Sequence, residues 1–176
     1  MIANPQTVLA LLPAATRNRL EELVRALQAI LGEKLDALLL YGSAVRGGFT
    51  PMSDVDVLVV LRDADATTLR RLHEPLTLAR VSARIDCRLL KSSEIPRAAD
   101  VFPVFYDDVR GCHCVLFGTD PFKHLVIHPE HRRLRVEQEL RDVRSRLRRL
   151  VVEAAGADTA LAAGLDKKLK AVRAPL

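Results

Sequence analysis

The chain has 176 residues, 49% of them hydrophobic and 28% charged, with a formal net charge of +5. That length and mixture suit one domain with a real core, or one domain plus a small appendage, and exclude a disordered or fibrous chain. The excess charge is local, because residues 129–149 hold eight arginines against Glu130, Glu137, Glu139 and Asp142, which reads as a basic helix face rather than a general affinity for polyanions. Three cysteines, Cys87, Cys112 and Cys114, are odd in number and lack the spacing of a disulfide framework, which favours a reducing compartment. The N-terminal apolar patch has no basic residue ahead of it, so a secretory signal is not expected. No segment reaches the roughly 18 apolar residues of a membrane span, and the expected location is the cytoplasm.

In chain order, Leu20, Leu23, Val24, Leu27, Ile30 and Leu31 recur at helical spacing between Thr16, a candidate cap, and Gly32, a stop. Two short apolar runs follow, 37–41 and 55–61, rich in leucine and valine and too short for helices, so both are expected to be buried strands. Residues 67–81 read as a helix weakened at Pro75. Residues 82–90 alternate as a third strand, with Ile85, Cys87 and Leu89 on one face and Arg84, Asp86 and Arg88 on the other. Ser92 and Ser93 can cap a further short helix, Gly111 breaks the chain, and 114–118 is an edge strand. Past that point the character changes. From Pro129, about seven turns of helix run to Gly156 with Val136, Leu140, Val143, Leu147, Leu150 and Val151 along one side, and 158–172 is a further helical segment. The order of elements predicts an α+β fold, close to α/β, with a small mixed sheet flanked by helices and a helical C-terminal segment. The apolar stripes of the last helices call for a helical protein partner, a second copy of the chain, or a continuation of it.

Two loci carry candidate chemistry. Asp54 and Asp56 open the second apolar run two residues apart, so both carboxylates leave the strand on the same face while Val55 and Val57 enter the core. Carboxylates forced that close repel unless a positive charge lies between them, and a magnesium-like cation, which prefers carboxylate oxygen together with substrate phosphate, is the natural occupant. The first apolar run ends in Gly42-Ser43, where glycine lets the backbone approach a ligand and serine offers a hydroxyl to phosphate oxygens; Arg46 could reach a phosphate from the loop beyond. A cation on one side and a phosphate cradle on the other describe a site for a nucleoside triphosphate. Cys112, His113 and Cys114 have no Cys-x-x-Cys spacing, and Pro129 interrupts the register of His124, His128 and His131, so these are read as structural or solvent-facing. No aromatic residues interleave with the arginines of 129–149, which counts against single-stranded nucleic acid as a ligand.

The stretch YGSAVRGGFTPMSDVDVLVVL, with an apolar strand, Gly-Ser, a spacer and Asp-x-Asp opening the next strand, resembles the nucleotidyltransferase superfamily related to DNA polymerase β. Within it the chain is most similar to the bacterial branch of aminoglycoside adenylyltransferases and minimal, antitoxin-type nucleotidyltransferases, over residues 20–122. The resemblance implies a transferase portion over 1–122 and a C-terminal helical segment over 123–176, complete in itself or part of a longer helical domain. It also implies that Asp54 and Asp56 hold two Mg2+ ions, and that Asp86, a third carboxylate on a neighbouring strand, completes the metal site or acts as general base. The implied reaction moves a nucleoside monophosphate, AMP from ATP, onto a hydroxyl of a small molecule or protein and releases pyrophosphate. The alternatives are an antitoxin-like interaction module, or a member that binds nucleotide without catalysis. For Asp86, flanked by Arg84 and Arg88, the competing expectation is a surface ion pair.

Overall fold

The structure is a computed structural model that describes residues 3–50 and 52–153. The chain divides into two compact units, the first made of Met1–Arg97 with Val109–Leu125 and the second of Ala98–Asp108 with Val126–Leu176.

The first unit is built on a four-stranded sheet. Its strands are β1 (Leu35–Tyr41), β2 (Val55–Leu61), β3 (Ile85–Lys91) and β4 (His113–Gly118), in the order β3-β2-β1-β4. The pairs β1/β2 and β1/β4 are antiparallel, whereas β2/β3 is parallel, so the sheet is mixed as the order of elements predicts. A parallel neighbour cannot be reached through a tight hairpin. The crossover from β2 to β3 runs through two helices, α4 (Ala66–Arg71) and α5 (His73–Ala83).

The central strands are buried on both faces, which is why β1 and β2 read as nearly continuous apolar runs rather than as alternation: Leu38, Leu39 and Leu40, and Leu58, Val59 and Val60, are all fully buried. Leu38, Leu40, Val57, Val59 and Leu61 share one core with Leu20, Leu23, Leu27 and Leu31 of α2 (Ala14–Leu31). That amphipathic helix begins two residues earlier than Thr16, because the carbonyl of Pro13 already accepts the first helical bond from the Arg17 N–H at 2.9 Å. Its end falls at Gly32, which adopts φ 51. A preceding helix, α1 (Pro5–Leu11), has no counterpart in the sequence-based expectation; Asn4 caps it by accepting from the Gln6 N–H at 2.9 Å, with Pro5 at the first helical position.

One helix was expected over 67–81, and two are found. Pro75 has no N–H to offer the Arg71 carbonyl, so the chain breaks at Leu72 and restarts with Pro75 in the first turn of α5, where the missing donor costs nothing. Asp65 caps α4, accepting from the Thr68 N–H and hydroxyl at 2.8 and 2.6 Å and from Lys34 Nζ at 2.8 Å. These contacts hold its carboxyl well below the usual carboxylate range.

Residues 92–94 form one 3-10 turn that leads into α6 (Ile95–Val101), and α7 (Pro103–Gly111) ends at Gly111 before β4. Among the described residues β4 pairs only with β1 and is an edge strand, as expected. His113 and Cys114 at its start are buried. The His113 ring is held by Nδ1 at 2.8 Å from the Val109 carbonyl and packs edge-on against Phe122.

In the second unit α8 (Pro129–Glu153) carries the arginines. Arg132 pairs with Asp107 at 3.1 Å, and Arg135, Arg146 and Arg149 pair with Glu139, Asp142 and Glu153 at 2.6 Å, one turn away along the helix. Arg141 pairs with Glu137 at 2.5 Å in the same way. None of the described residues of α8 is buried. Its expected end at Gly156 and the expected segment 158–172 lie outside the described residues. Among the described residues, no helix is long and apolar enough to cross a membrane.

Candidate active site

β1 ends at Tyr41 and the chain turns at Gly42, which has φ 72 and ψ −148, into the single turn α3 (Ser43–Arg46). The Gly42 carbonyl accepts from the N–H groups of Val45 and Arg46, both at 3.2 Å, so the turn after the glycine is tightly closed. Glycine is required here twice over. The backbone lies in a region that side chains disfavour, and a Cβ would collide with Oδ2 of Asp56. The main chain of the Gly-Ser turn is therefore pressed directly against the second carboxylate of the Asp-x-Asp pair.

The chain returns to β2 through a turn in which the Ser53 N–H donates to the Thr50 carbonyl at 2.9 Å and the Thr50 N–H donates to Ser53 Oγ at 3.1 Å. Asp54 stands exposed just before the strand, and Asp56 is half-buried as its second residue. Register supplies the third carboxylate. Asp56 lies opposite Asp86 on the parallel strand β3 and opposite Tyr41 on the antiparallel strand β1. Burial, then Asp86, then Asp54 push the Asp56 carboxyl above its ordinary value, with Arg88 opposing. Burial first, then Asp56 and, more weakly, Asp86 push the Tyr41 hydroxyl up to about 12, with Arg88 opposing. Burial first, and Asp86 after it, push the Cys87 thiol up to about 12, which keeps it protonated at neutral pH.

Asp54, Asp56, Asp86 and Gly42 thus converge on one end of the sheet. Ser43, half-buried, is the first residue of α3, and Arg46 is exposed at its last; the cation that acts on Asp56 is Arg88. Asp86 forms an ion pair, as its competing expectation held, with Arg80 at 3.5 Å. Arg84 turns instead to Asp54, donating from Nε to Oδ1 at 2.9 Å. The sequence-based reading did not place Tyr41, Arg80 or Arg84 in the site. The four-residue interval of arginines at 80, 84 and 88 was a visible signal, but their partners depend on the α5–β3 corner and on strand register. Among the described residues no three His, Cys, Asp or Glu side chains are gathered into a ready-made metal cage.

The nucleotidyltransferase domain family matches residues 20–112, just over half of the sequence, and the chain belongs to that family. The aminoglycoside (3'') (9) adenylyltransferases of Klebsiella pneumoniae and Escherichia coli are each 38% identical to it over 97 residues, 54% of this chain and 34% of theirs. The chain therefore spans about a third of the length of these curated relatives. The structure of spectinomycin adenyltransferase AAD(9) from Enterococcus faecialis, with ATP and spectinomycin, is similar at a TM-score of 0.59 and 16% identity, over 90% of this chain and 89% of that one. That likeness is one of fold: a mixed four-stranded sheet with flanking helices and a C-terminal helix.

Proposed function

We propose that the chain transfers AMP from ATP to a hydroxyl group on a small molecule or a protein, releasing pyrophosphate. The observation that carries this reading is the register of Asp56, set opposite Asp86 and against the Gly42 backbone. Two carboxylates and the glycine turn that leads into α3 then occupy the same end of the sheet. The adenylyltransferase relatives make ATP the nucleotide to test first.

Residues 1–122 would form the transferase portion and 123–176 a helical segment. Gly42 and Ser43 would receive the triphosphate, with Arg46 at its edge. Asp54 and Asp56 fit a hard divalent cation. Both offer carboxylate oxygen, and Asp56, whose proton affinity is raised by burial first and then by Asp86 and Asp54, lies where a bound cation would relieve the repulsion among these carboxylates. Mg2+ is usually held by one or two carboxylates plus substrate phosphates, so a preformed cage of three protein ligands is not needed. Bound there, two such ions would offset charge on the attacking and leaving oxygens of an in-line displacement. Asp86, on the next strand, would either complete that ligand set or take the proton from the acceptor hydroxyl as its oxygen bonds to the α-phosphorus and pyrophosphate departs. The names of the relatives make an aminoglycoside hydroxyl the first acceptor to screen.

The test is thermal stability with ATP and Mg2+, comparing the wild type with the Asp54→Asn, Asp56→Asn double variant. Ligand at a hundredfold over its dissociation constant stabilises the native state by about 2.7 kcal/mol, a rise of roughly 5–10 °C in Tm for a chain of this size. A Mg2+-dependent rise confined to the wild type is the expected result. Equal shifts in both proteins would mean that ATP sits elsewhere, and the reading would fail.

A further inference from the structure

Among the described residues, Arg84 is the one non-glycine residue with positive φ, at 54 with ψ 35. Left-handed backbone disfavours residues with a Cβ, and the position after a helix's last turn is ordinarily filled by glycine or asparagine. An arginine held there calls for a reason. Its backbone is fixed on both sides: the N–H donates to the Arg80 carbonyl at 3.0 Å, and the carbonyl accepts from the Val55 N–H at 2.9 Å. The second bond ties the corner between α5 and β3 to the first residue of β2, and so sets the Arg84 side chain beside Asp54. There Nε donates to Asp54 Oδ1 at 2.9 Å.

Guanidinium and divalent cation compete for that oxygen. Each wants the carboxylate, and the two positive charges repel at such a separation. The Arg84 and Asp54 side chains are 50% and 56% exposed, so their pairing is screened by solvent and worth little. The arm also has a long stem and room to swing. A planar fork of N–H donors released beside a triphosphate site has an obvious second partner in phosphate oxygen.

Resting on the nucleotidyl-transfer reading above, we infer that Arg84 is a positioning residue with two stations. In the cation-free protein it holds Asp54; with a divalent cation on Asp54 and Asp56 it leaves that carboxylate and binds the triphosphate of the nucleotide. The first station keeps the carboxylate oriented and its charge balanced while the site waits. The second adds a charged fork to the phosphates only when the cation is in place, so that cation and nucleotide binding become linked.

The experiment compares the wild type with Arg84→Gly and Arg84→Lys. Glycine suits the left-handed backbone better than arginine, so loss of folding does not confound it. Binding of Mn2+ alone is followed by the electron paramagnetic resonance of the free ion, and binding of ATP at saturating Mg2+ by calorimetry. In Arg84→Gly, Mn2+ is expected to bind about two- to fivefold more tightly and ATP about tenfold more weakly, with Arg84→Lys between wild type and glycine for ATP. A purely structural arginine would weaken both ligands or leave both unchanged, and a residue that served Asp54 alone would leave ATP affinity untouched; any of these results overturns the two-station role. If the wild type binds both ligands and Arg84→Gly changes neither, the role of Arg84 falls while the transfer reading stands. If the wild type binds neither, the transfer reading falls and this inference with it.

Discussion

Asp56 is the residue on which the site turns, and its environment makes a prediction that needs no substrate. Burial and two neighbouring carboxylates raise its pKa in the folded chain, whereas the unfolded chain leaves it at the ordinary carboxylate value. Between those two values the folded state binds more protons, so stability falls as pH rises through the window and stays lower above it. Replacing Asp56 by Asn removes the ionisation. The variant should therefore be more stable than the cation-free wild type at pH 7, with the two converging as pH falls below the ordinary carboxylate range. Urea midpoints measured across that pH range in the presence of a chelator would show this, and a less stable Asn variant at pH 7 would contradict it. Two-residue spacing made the shared face of Asp54 and Asp56 legible in the sequence. The collision awaiting any Cβ at Gly42 was not, because it depends on where β1 and β2 pair.

At the scale of elements, the sheet and its covering helices were readable wherever periodicity was strong. The 3.6-residue stripe of α2 and the compact apolar runs of β1 and β2 each name their own structure. Leu27, fully buried in α2 and part of the core beneath β1 and β2, tests how much that packing contributes. Leu27→Ala should cost about 2–5 kcal/mol through lost transfer energy and a residual cavity, read from urea unfolding as a lower midpoint with an unchanged slope. Misreadings cluster where local signals conflict. Pro75 was expected to weaken one helix, yet its missing donor is satisfied more easily by ending α4 and starting α5. Leu89, grouped with Ile85 and Cys87 on one face of β3, is 37% exposed whereas Ile85 is fully buried, on a strand that stands at the edge of the sheet. α1 escaped notice because seven residues give too little periodicity to stand out.

For the whole molecule, every residue named for nucleotide and cation belongs to the first unit, and the arginine-bearing α8 belongs to the second. Arg133, Arg144 and Arg148 lie within one arc of α8, since offsets of 11 and 15 residues return to nearly the same side of a helix. Their combined replacement by Gln should leave the Mg2+-dependent ATP shift of the wild type unchanged, which thermal stability with ATP checks, and a lost shift would contradict it. Leu134 and Leu140 are 56% and 45% exposed along the same helix, a surface of the kind that a partner or further chain would cover.

The sequence by itself determined the class of fold, the apolar strands, the Gly-Ser turn and the Asp-x-Asp pair. Each of these is a matter of residue type and short-range spacing, and the chemistry of two adjacent carboxylates does not wait on the rest of the chain. Tertiary structure alone decided which partners complete the site. Asp86 faces Asp56 because β3 runs parallel to β2 in one particular register, a choice made by a crossover of two helices across 30 residues. Arg84 reaches Asp54 because a left-handed residue is stitched to the start of β2. Pairing across such distances is settled by burial and backbone hydrogen bonding over the whole sheet, and local spacing carries no record of it.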